Sequence, residues 1–139
     1  MERTHHNYGS WTKGRFSEAV TVTGPGRMIF LAGIGAEHEE TGEIQHPGDL
    51  EAQTRYAYAK LGTVLERNGA TLADVVKQVT YVTDARTTEI IGRLRREAYG
   101  DAPLPAHTFL VVSALAWPAM LVEIDVIAMT GGVMDVRRR

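Results

Sequence analysis

Residues 120–129 read MLVEIDVIAM, and this run carries more information about the fold than the order of the elements does. The run is rich in β-branched and other apolar residues, which is typical of a buried strand. Successive side chains of a strand point to opposite faces, so the run places apolar groups on both faces of a sheet. One face carries Val122, Ile124 and Val126, and the other carries Leu121, Ile127 and Met129.

The same strand carries two carboxylates, Glu123 and Asp125, side by side on the second face. A carboxylate among apolar side chains is costly unless it is paired or functional. Glu123 therefore has two interpretations: an ion pair with a Lys or Arg of a neighbouring subunit, or an acid/base group in a pocket. For Asp125 a structural ion pair is the better interpretation.

The residues before this strand predict two helices and four more strands. Residues 16–22 and 28–33 are β-prone and are separated by a Gly- and Pro-bearing turn, which predicts a hairpin. A helix is expected from the N-cap Asp49 to Gly69, followed by a capping turn at residues 71–74. Further elements are a strand at 75–83, a helix at 86–99 and a strand at 107–115.

This element order, β-β-α-β-α-β-β, predicts an α+β fold in which two helices cover one face of a mixed sheet. In the second helix, Ile91 and Leu94 are expected to face the core, and Arg95 is expected mostly on the opposite, solvated side. Two helices can cover only one face of the sheet. The apolar second face must find other cover, and an identical subunit is the simplest source, so we expect a closed homo-oligomer.

Length and composition narrow the function classes. The 139 residues predict a single domain with a core at about 16–129, a polar N-terminal lead and an arginine-rich tail at 137–139. The formal net charge of −2 offers no basic field for nucleic acid. No apolar run is long enough to cross a membrane, and the first residues do not resemble a signal peptide.

The chain contains no cysteine, so thiolate chemistry and Cys-based zinc sites are excluded. Together with the polar N-terminus, this composition favours a cytoplasmic location. The histidines His5, His6, His38 and His46 lack metal-ligand spacing, and we expect neither a metal nor another cofactor.

Several short runs, taken in order, resemble one protein family. They are FSEAV at 16–20, IFLAG at 29–33, TGE at 41–43, DVVKQVTYVTD at 74–84, PAHT at 105–108 and VEIDVIA at 122–128. Together they are similar to the RidA/YjgF/YER057c family of reactive-intermediate deaminases, over nearly the whole chain. The resemblance implies a chorismate-mutase-like fold and a homotrimer with a cleft between each pair of subunits.

The resemblance also implies an activity: cofactor-free hydrolysis of enamines and imines to a ketoacid and ammonia. Glu123 matches the glutamate that handles water and protons. Gly33 matches a glycine whose backbone assists, with Ala32 where a serine is common. Phe16 replaces a frequent tyrosine, and Phe109 lies two residues beyond the position of the substrate-binding arginine. These four residues, Phe16, Ala32, Gly33 and Phe109, are the candidate substrate-binding residues.

His107 occupies the arginine position of the family pattern. Arginine binds a carboxylate through two parallel hydrogen bonds, whereas a mostly neutral histidine offers one donor. A small 2-imino acid would therefore be held poorly, and a larger or uncharged enamine, for example of the amino-muconate type, is expected instead. His107 is a candidate catalytic residue beside Glu123, although a lone histidine in an apolar strand is more often a core residue.

The positions of His107 and Glu123 relative to each other stay open. If the last two strands formed a simple hairpin about Trp117, the two residues would be about 13 Å apart. Another register or an adjacent subunit would bring them together, or they would serve opposite ends of one substrate.

Three functions are consistent with these residues. The first is a hydrolytic deaminase that binds a small-molecule substrate between subunits. The second is a tautomerase that uses the same glutamate without water, and the third is a metabolite-binding trimer without turnover. Endoribonuclease activity, with which some relatives are labelled, gains little support from the neutral composition. The expected partners are the substrate and further copies of the chain, with no nucleic acid and no membrane.

Overall fold

A computed structural model describes residues 1–131, so the arginine-rich tail at 137–139 lies outside the described residues. Within 1–131 the chain forms six strands and two α-helices. The strands are β1 (Glu2–His6), β2 (Ala19–Thr23), β3 (Arg27–Phe30), β4 (Val75–Val82), β5 (Ala106–Val111) and β6 (Val122–Thr130). The helices are α1 (Leu50–Arg67) and α2 (Thr88–Tyr99).

Four strands form one mixed sheet in the order β3-β6-β4-β5. Strand β6 runs antiparallel to both of its neighbours, and β5 runs parallel to β4. Both helices pack on the same face of this sheet. Leu61 and Leu65 of α1 join Ile124 in one core cluster, and Ile91 of α2 joins Val122 in a second. The predicted α+β class with a mixed sheet under two helices is confirmed.

The signals at the ends of α1 act as predicted. The Asp49 side chain accepts a hydrogen bond from the Ala52 N–H at 3.0 Å and so caps the first turn. The chain leaves the helix through Gly69, whose φ of 74° suits glycine. The turn at 71–74 is a reciprocal capping box between Thr71 and Asp74.

The predicted hairpin between the first two expected strands is wrong. Strand β2 pairs with β1 in a separate two-stranded sheet, whereas β3 pairs with β6. Strand β1 could not be predicted from the sequence because the run ERTHH is polar and has no apolar face. Polar contacts with distant residues attach this strand to the rest of the chain. Arg3 donates to the Met129 carbonyl at 3.0 Å and lies 3.5 Å from the Asp74 carboxylate.

The last two strands are not neighbours either, because β4 lies between β5 and β6. Strand β5 also ends at Val111, four residues before the predicted limit. In the observed register Gln78 of β4 is the partner of His107, and Tyr81 is the partner of Glu123. The hairpin about Trp117 and the separation calculated from it therefore do not apply.

The second face of the sheet has no cover within residues 1–131. Along β6 the buried residues alternate with half-buried ones, as expected, and Glu123 and Asp125 belong to the half-buried set. On β3, Met28 is 53% exposed and Phe30 is 68% exposed. This surface, which we call the open face, carries large apolar side chains beside the two carboxylates.

Neither α1 nor α2 has the length and apolar character of a bilayer-crossing helix.

A buried glutamine of α1 fixes the loop that leads into β6. The Gln53 side chain is fully buried and accepts from the Leu121 N–H at 2.9 Å. Its amide donates to the carbonyls of Ala119 at 2.9 Å and His46 at 3.2 Å. Gln53 thus fixes the backbone at Leu121, immediately before β6 and two residues before Glu123.

Replacement of this glutamine tests its role. The Gln53→Leu variant keeps most of the side-chain volume but leaves the Leu121 N–H and the Ala119 carbonyl without a partner, each of which costs about 1–3 kcal/mol when buried. The His46 carbonyl still accepts from the Asp49 N–H. We expect the free energy of unfolding to fall by about 2–4 kcal/mol, measured by urea denaturation at fixed protein concentration. A loss below about 0.5 kcal/mol would contradict the anchoring role.

Candidate active site

The Glu123 carboxylate lies against the backbone of Gly33. Residue 34 forms reciprocal backbone hydrogen bonds of 2.8 Å with Ile124, which brings the segment after β3 alongside β6. A Cβ atom built on Gly33 would overlap Glu123 Oε2 and would lie 2.7 Å from Cδ. Only glycine leaves room for the carboxylate at this position.

The surroundings of Glu123 favour its protonated form. Partial burial raises the pKa of Glu123, and the neighbouring carboxylates Glu37 and Asp125 raise it further. Within the described residues Glu123 forms neither an ion pair nor a hydrogen bond that would oppose this shift. A carboxyl group whose pKa is raised in this way is better suited to accept and return a proton than an ordinary surface glutamate.

Glu37 is a site residue that the sequence did not reveal. Its Oε1 atom is buried and has no hydrogen-bond partner among residues 1–131. The same atom would be displaced by a side chain at Gly35, so a second glycine makes room for a second carboxylate. No periodic or motif signal marks Glu37, because it lies in a loop, where it forms an isolated bridge with Ile44 and its carbonyl accepts from Lys60 Nζ at 2.8 Å.

His107 ends a chain of buried hydrogen bonds on the helix-covered face. Tyr99 Oη donates to Gln78 Oε1 at 2.6 Å, and Gln78 Nε2 donates to Thr80 Oγ1 at 2.9 Å. Thr80 Oγ1 lies 2.8 Å from His107 Nε2. Gln78 Nε2 donates to the Thr80 oxygen, and the Thr80 O–H can in turn donate to His107 Nε2. With hydrogen bonds assigned in this direction, the ring proton of His107 is on Nδ1.

His107 is held in its neutral form. Burial, together with the nearby cations Arg95 and Lys77, lowers the pKa of His107 to about 3. The imidazole is therefore neutral near pH 7. It can offer one N–H donor, but it does not supply a positive charge.

His107 lines a cavity of about 760 Å³ between β5, α2 and the segment before β2. Its walls include the aromatic rings of Trp11, Phe16 and Phe109. Ser17 bridges to Ala106 at the start of β5, and this pairing brings Phe16 beside the strand. The volume lies within the usual range for small-molecule sites.

A single chain keeps the predicted site residues in two groups. Glu123 and Gly33 lie at the open face, with Ala32 exposed beside them. His107, Phe16 and Phe109 line the cavity on the helix side, and neither Glu123 nor Gly33 contributes to its walls. The intervening strand β4 separates the two groups.

Arg95 departs from its predicted place. It was expected mostly on the solvated side of α2, but it is only 4% exposed and lines the cavity. Its position could have been found from helical spacing, because Arg95 follows Ile91 by four residues and precedes Tyr99 by four. Both of those residues are buried. Because Arg95 stands between Arg93 and Arg96 in the sequence, it was assigned to the same solvated side of the helix.

No group of three or more potential metal-ligating His, Asp or Glu side chains forms within residues 1–131.

Known proteins resemble this chain over most of its length. The family model described as endoribonuclease L-PSP matches residues 10–130. A RutC family protein of Pyrococcus abyssi is 35% identical over 83% of this chain and 86% of its own length. The crystal structure of a Rid family protein of unknown function from Yersinia pestis, YyfB, superposes with a TM-score of 0.81. It is 33% identical and covers 94% of this chain and 100% of its own.

A member of the YjgF/YER057c/UK114 family from Mycobacterium tuberculosis superposes with a TM-score of 0.63. It is 32% identical and covers 93% of this chain and 100% of its own.

A methyl group at residue 33 tests the contact with Glu123. In the Gly33→Ala variant the added Cβ would push the carboxylate toward water, which relieves its desolvation. We expect the pKa of Glu123 to fall toward the ordinary glutamate value, as followed by NMR titration of ¹³C-labelled glutamate.

The matched control is Gly62→Ala in the middle of α1, where a Cβ would meet no atom within 4 Å. This variant should leave the Glu123 titration unchanged and stabilise the protein by about 0.5–1 kcal/mol. If Gly33→Ala also leaves the titration unchanged, the proposed packing of carboxylate on glycine is wrong.

Proposed function

Since the chain belongs to the Rid/YjgF family, we propose that it is a cofactor-free deaminase that hydrolyses a reactive enamine or imine. The observation that carries this proposal is the Glu123 carboxyl group. It is held against Gly33, has a raised pKa and forms no ion pair within the described residues.

Glu123 acts in both halves of the reaction. As a carboxylate it takes a proton from water while the water oxygen bonds to the imine carbon and the C=N π electrons move to nitrogen. Glu123 then returns this proton to the nitrogen, which gives a neutral carbinolamine. In the second half Glu123 takes the proton of the carbinolamine hydroxyl group and passes it to the nitrogen, while the C=O bond forms, the C–N bond breaks and ammonia leaves. The raised pKa suits this exchange because it makes the carboxylate a stronger base toward water.

His107 orients the substrate rather than protonating it. Its neutral ring and low pKa make it a poor acid, whereas the hydrogen bonds through Thr80 and Gln78 leave the Nδ1–H as a fixed donor. Phe16 and Phe109 form apolar walls beside it, and Ala32 with Gly33 contributes backbone groups at the water-handling end.

A homotrimer unites the two groups of residues. The open face carries exposed Met28 and Phe30 beside Glu123, and an identical subunit is a fitting cover for such a surface. In this assembly the cavity of one subunit meets Glu123 of the next, so that each cleft has a water-handling end and a substrate-binding end.

Hydrolysis of RNA, named in the family model's description, suits this site less well. The charged groups that act on Glu123 are the carboxylates Glu37 and Asp125, which repel a phosphate. The formal net charge of −2 adds no attraction for a polyanion.

The Glu123→Gln variant tests the proposal. Enamines are generated in situ from several amino acids, and ammonia release above the spontaneous rate is measured. Loss of the proton-transferring group should lower the rate by about 10²-fold or more. The matched control is Asp125→Asn on the same strand and face, which should keep most of the activity.

Sedimentation equilibrium accompanies the assay, and both variants should remain trimers like the unmodified chain. Equal activity of Glu123→Gln and the unmodified protein would remove Glu123 from the chemistry. A protein that is monomeric at assay concentration would contradict the shared cleft.

A further inference from the structure

Arg95 is a buried guanidinium whose hydrogen-bonding capacity is largely unused. It is 4% exposed, and its Nη2 donates to the Arg15 carbonyl at 2.6 Å. The Nε and Nη1 atoms are buried and have no hydrogen-bond partner among residues 1–131. The described residues also give Arg95 no carboxylate partner.

Such an arrangement is unfavourable in the absence of a ligand. Burial lowers the pKa of Arg95, but a guanidinium stays charged near neutral pH, so the folded chain holds an unpaired positive charge. Buried charges are normally paired, because the loss of hydration is otherwise not offset. Tyr58 and Tyr99 lie nearby, but burial raises the pKa of both phenols, so they are neutral near pH 7 and supply no counter-charge.

The cavity that Arg95 lines is the one that contains His107. Its charged walls are the arginines Arg15, Arg93, Arg95 and Arg96 together with Glu89. Arg93 is half-exposed and lies 3.3 Å from the Glu51 carboxylate, so part of its charge is already matched. Arg95, in contrast, is buried, and no carboxylate among the described residues neutralises its charge.

We propose that Arg95 binds the carboxylate of the substrate and that the aromatic walls of the cavity hold an apolar substituent of the same molecule. The residue at 107 then needs no positive charge, since the guanidinium comes from α2 instead of β5. His107 contributes the Nδ1–H donor, and Trp11, Phe16 and Phe109 enclose the substituent. The inference rests on the proposed function in that it names the substrate class of the same cleft.

This assignment revises the expectation that loss of the family arginine removes carboxylate binding. A substrate without a charge would leave Arg95 unpaired, whereas a 2-imino acid with a large apolar or aromatic side chain satisfies both parts of the cavity. The cavity volume of about 760 Å³ is larger than the smallest amino-acid-derived imines would fill.

Binding can be measured without turnover by calorimetry with two stable probes of equal size, phenylacetate and phenylacetamide. The unmodified protein should bind the carboxylate at least about tenfold more tightly than the amide, as expected for a charge-assisted hydrogen bond in a dry site. Arg95→Met should abolish this preference, and Arg95→Lys should weaken phenylacetate binding several-fold because lysine lacks the planar fork.

Three controls separate the alternatives. Arg93→Gln, in the same cavity, should keep the preference for phenylacetate. Glu123→Gln should lose turnover yet bind phenylacetate normally, so that failure of the proposed deaminase reaction and failure of this inference are distinguishable. Without ligand, Arg95→Met should unfold at the same temperature as the unmodified protein or a higher one, because it removes an unpaired buried charge.

The inference is overturned if Arg95→Met and Arg95→Lys bind phenylacetate as tightly as the unmodified protein does. It is also overturned if inorganic phosphate binds more tightly than phenylacetate, since the cavity would then recognise phosphate rather than a carboxylate beside an apolar group.

Discussion

Two helices cover one face of a four-stranded sheet and leave the other face bare, and this constraint governs the rest of the molecule. The core forms where α1 and α2 meet the buried residues of β6 and β4. The opposite side of β6 carries Glu123 and Asp125 among apolar side chains. When a second subunit covers such a surface, the carboxylate is buried further, and burial raises its pKa and so its affinity for a proton.

The position of β4 explains why the candidate site is divided. Strands β5 and β6 both pair with β4, and so His107 and Glu123 lie on different strands with β4 between them. His107 shares the helix side with Gln78 and Thr80, whereas Glu123 belongs to the open face. In the proposed trimer a single strand therefore shapes the substrate-binding half of one cleft and supports the water-handling half of another.

Much of the fold could be predicted from the sequence, since helix caps and alternating apolar residues act locally. Asp49 and Gly69 delimit α1, and the alternation along β6 correctly separates buried from half-buried residues. Strand pairing could not be predicted in the same way. The turn between β2 and β3 has hairpin chemistry, yet the polar strand β1 takes the place beside β2.

The site residues could be predicted from the sequence only in part, for a similar reason. Glu123 is conspicuous because a carboxylate interrupts an apolar run, but its neighbour Glu37 reaches it from a loop without a sequence signal. Arg95 lies within a cluster of arginines, and only its spacing from Ile91 and Tyr99 reveals that it faces inward. Burial of a charged side chain depends on tertiary packing, which composition and residue type do not report.

If Glu123 of one subunit and His107 of the next form one cleft, a mixed trimer of two inactive chains regains activity. Glu123→Gln and His107→Leu chains, each with little activity alone, are co-assembled in equal amounts and assayed for ammonia release. Random association places an intact Glu123 opposite an intact His107 in about one quarter of the clefts of a cyclic trimer, so about a quarter of the unmodified activity should return. If the mixture is no more active than its two components, Glu123 and His107 do not meet across a subunit interface and the account is wrong.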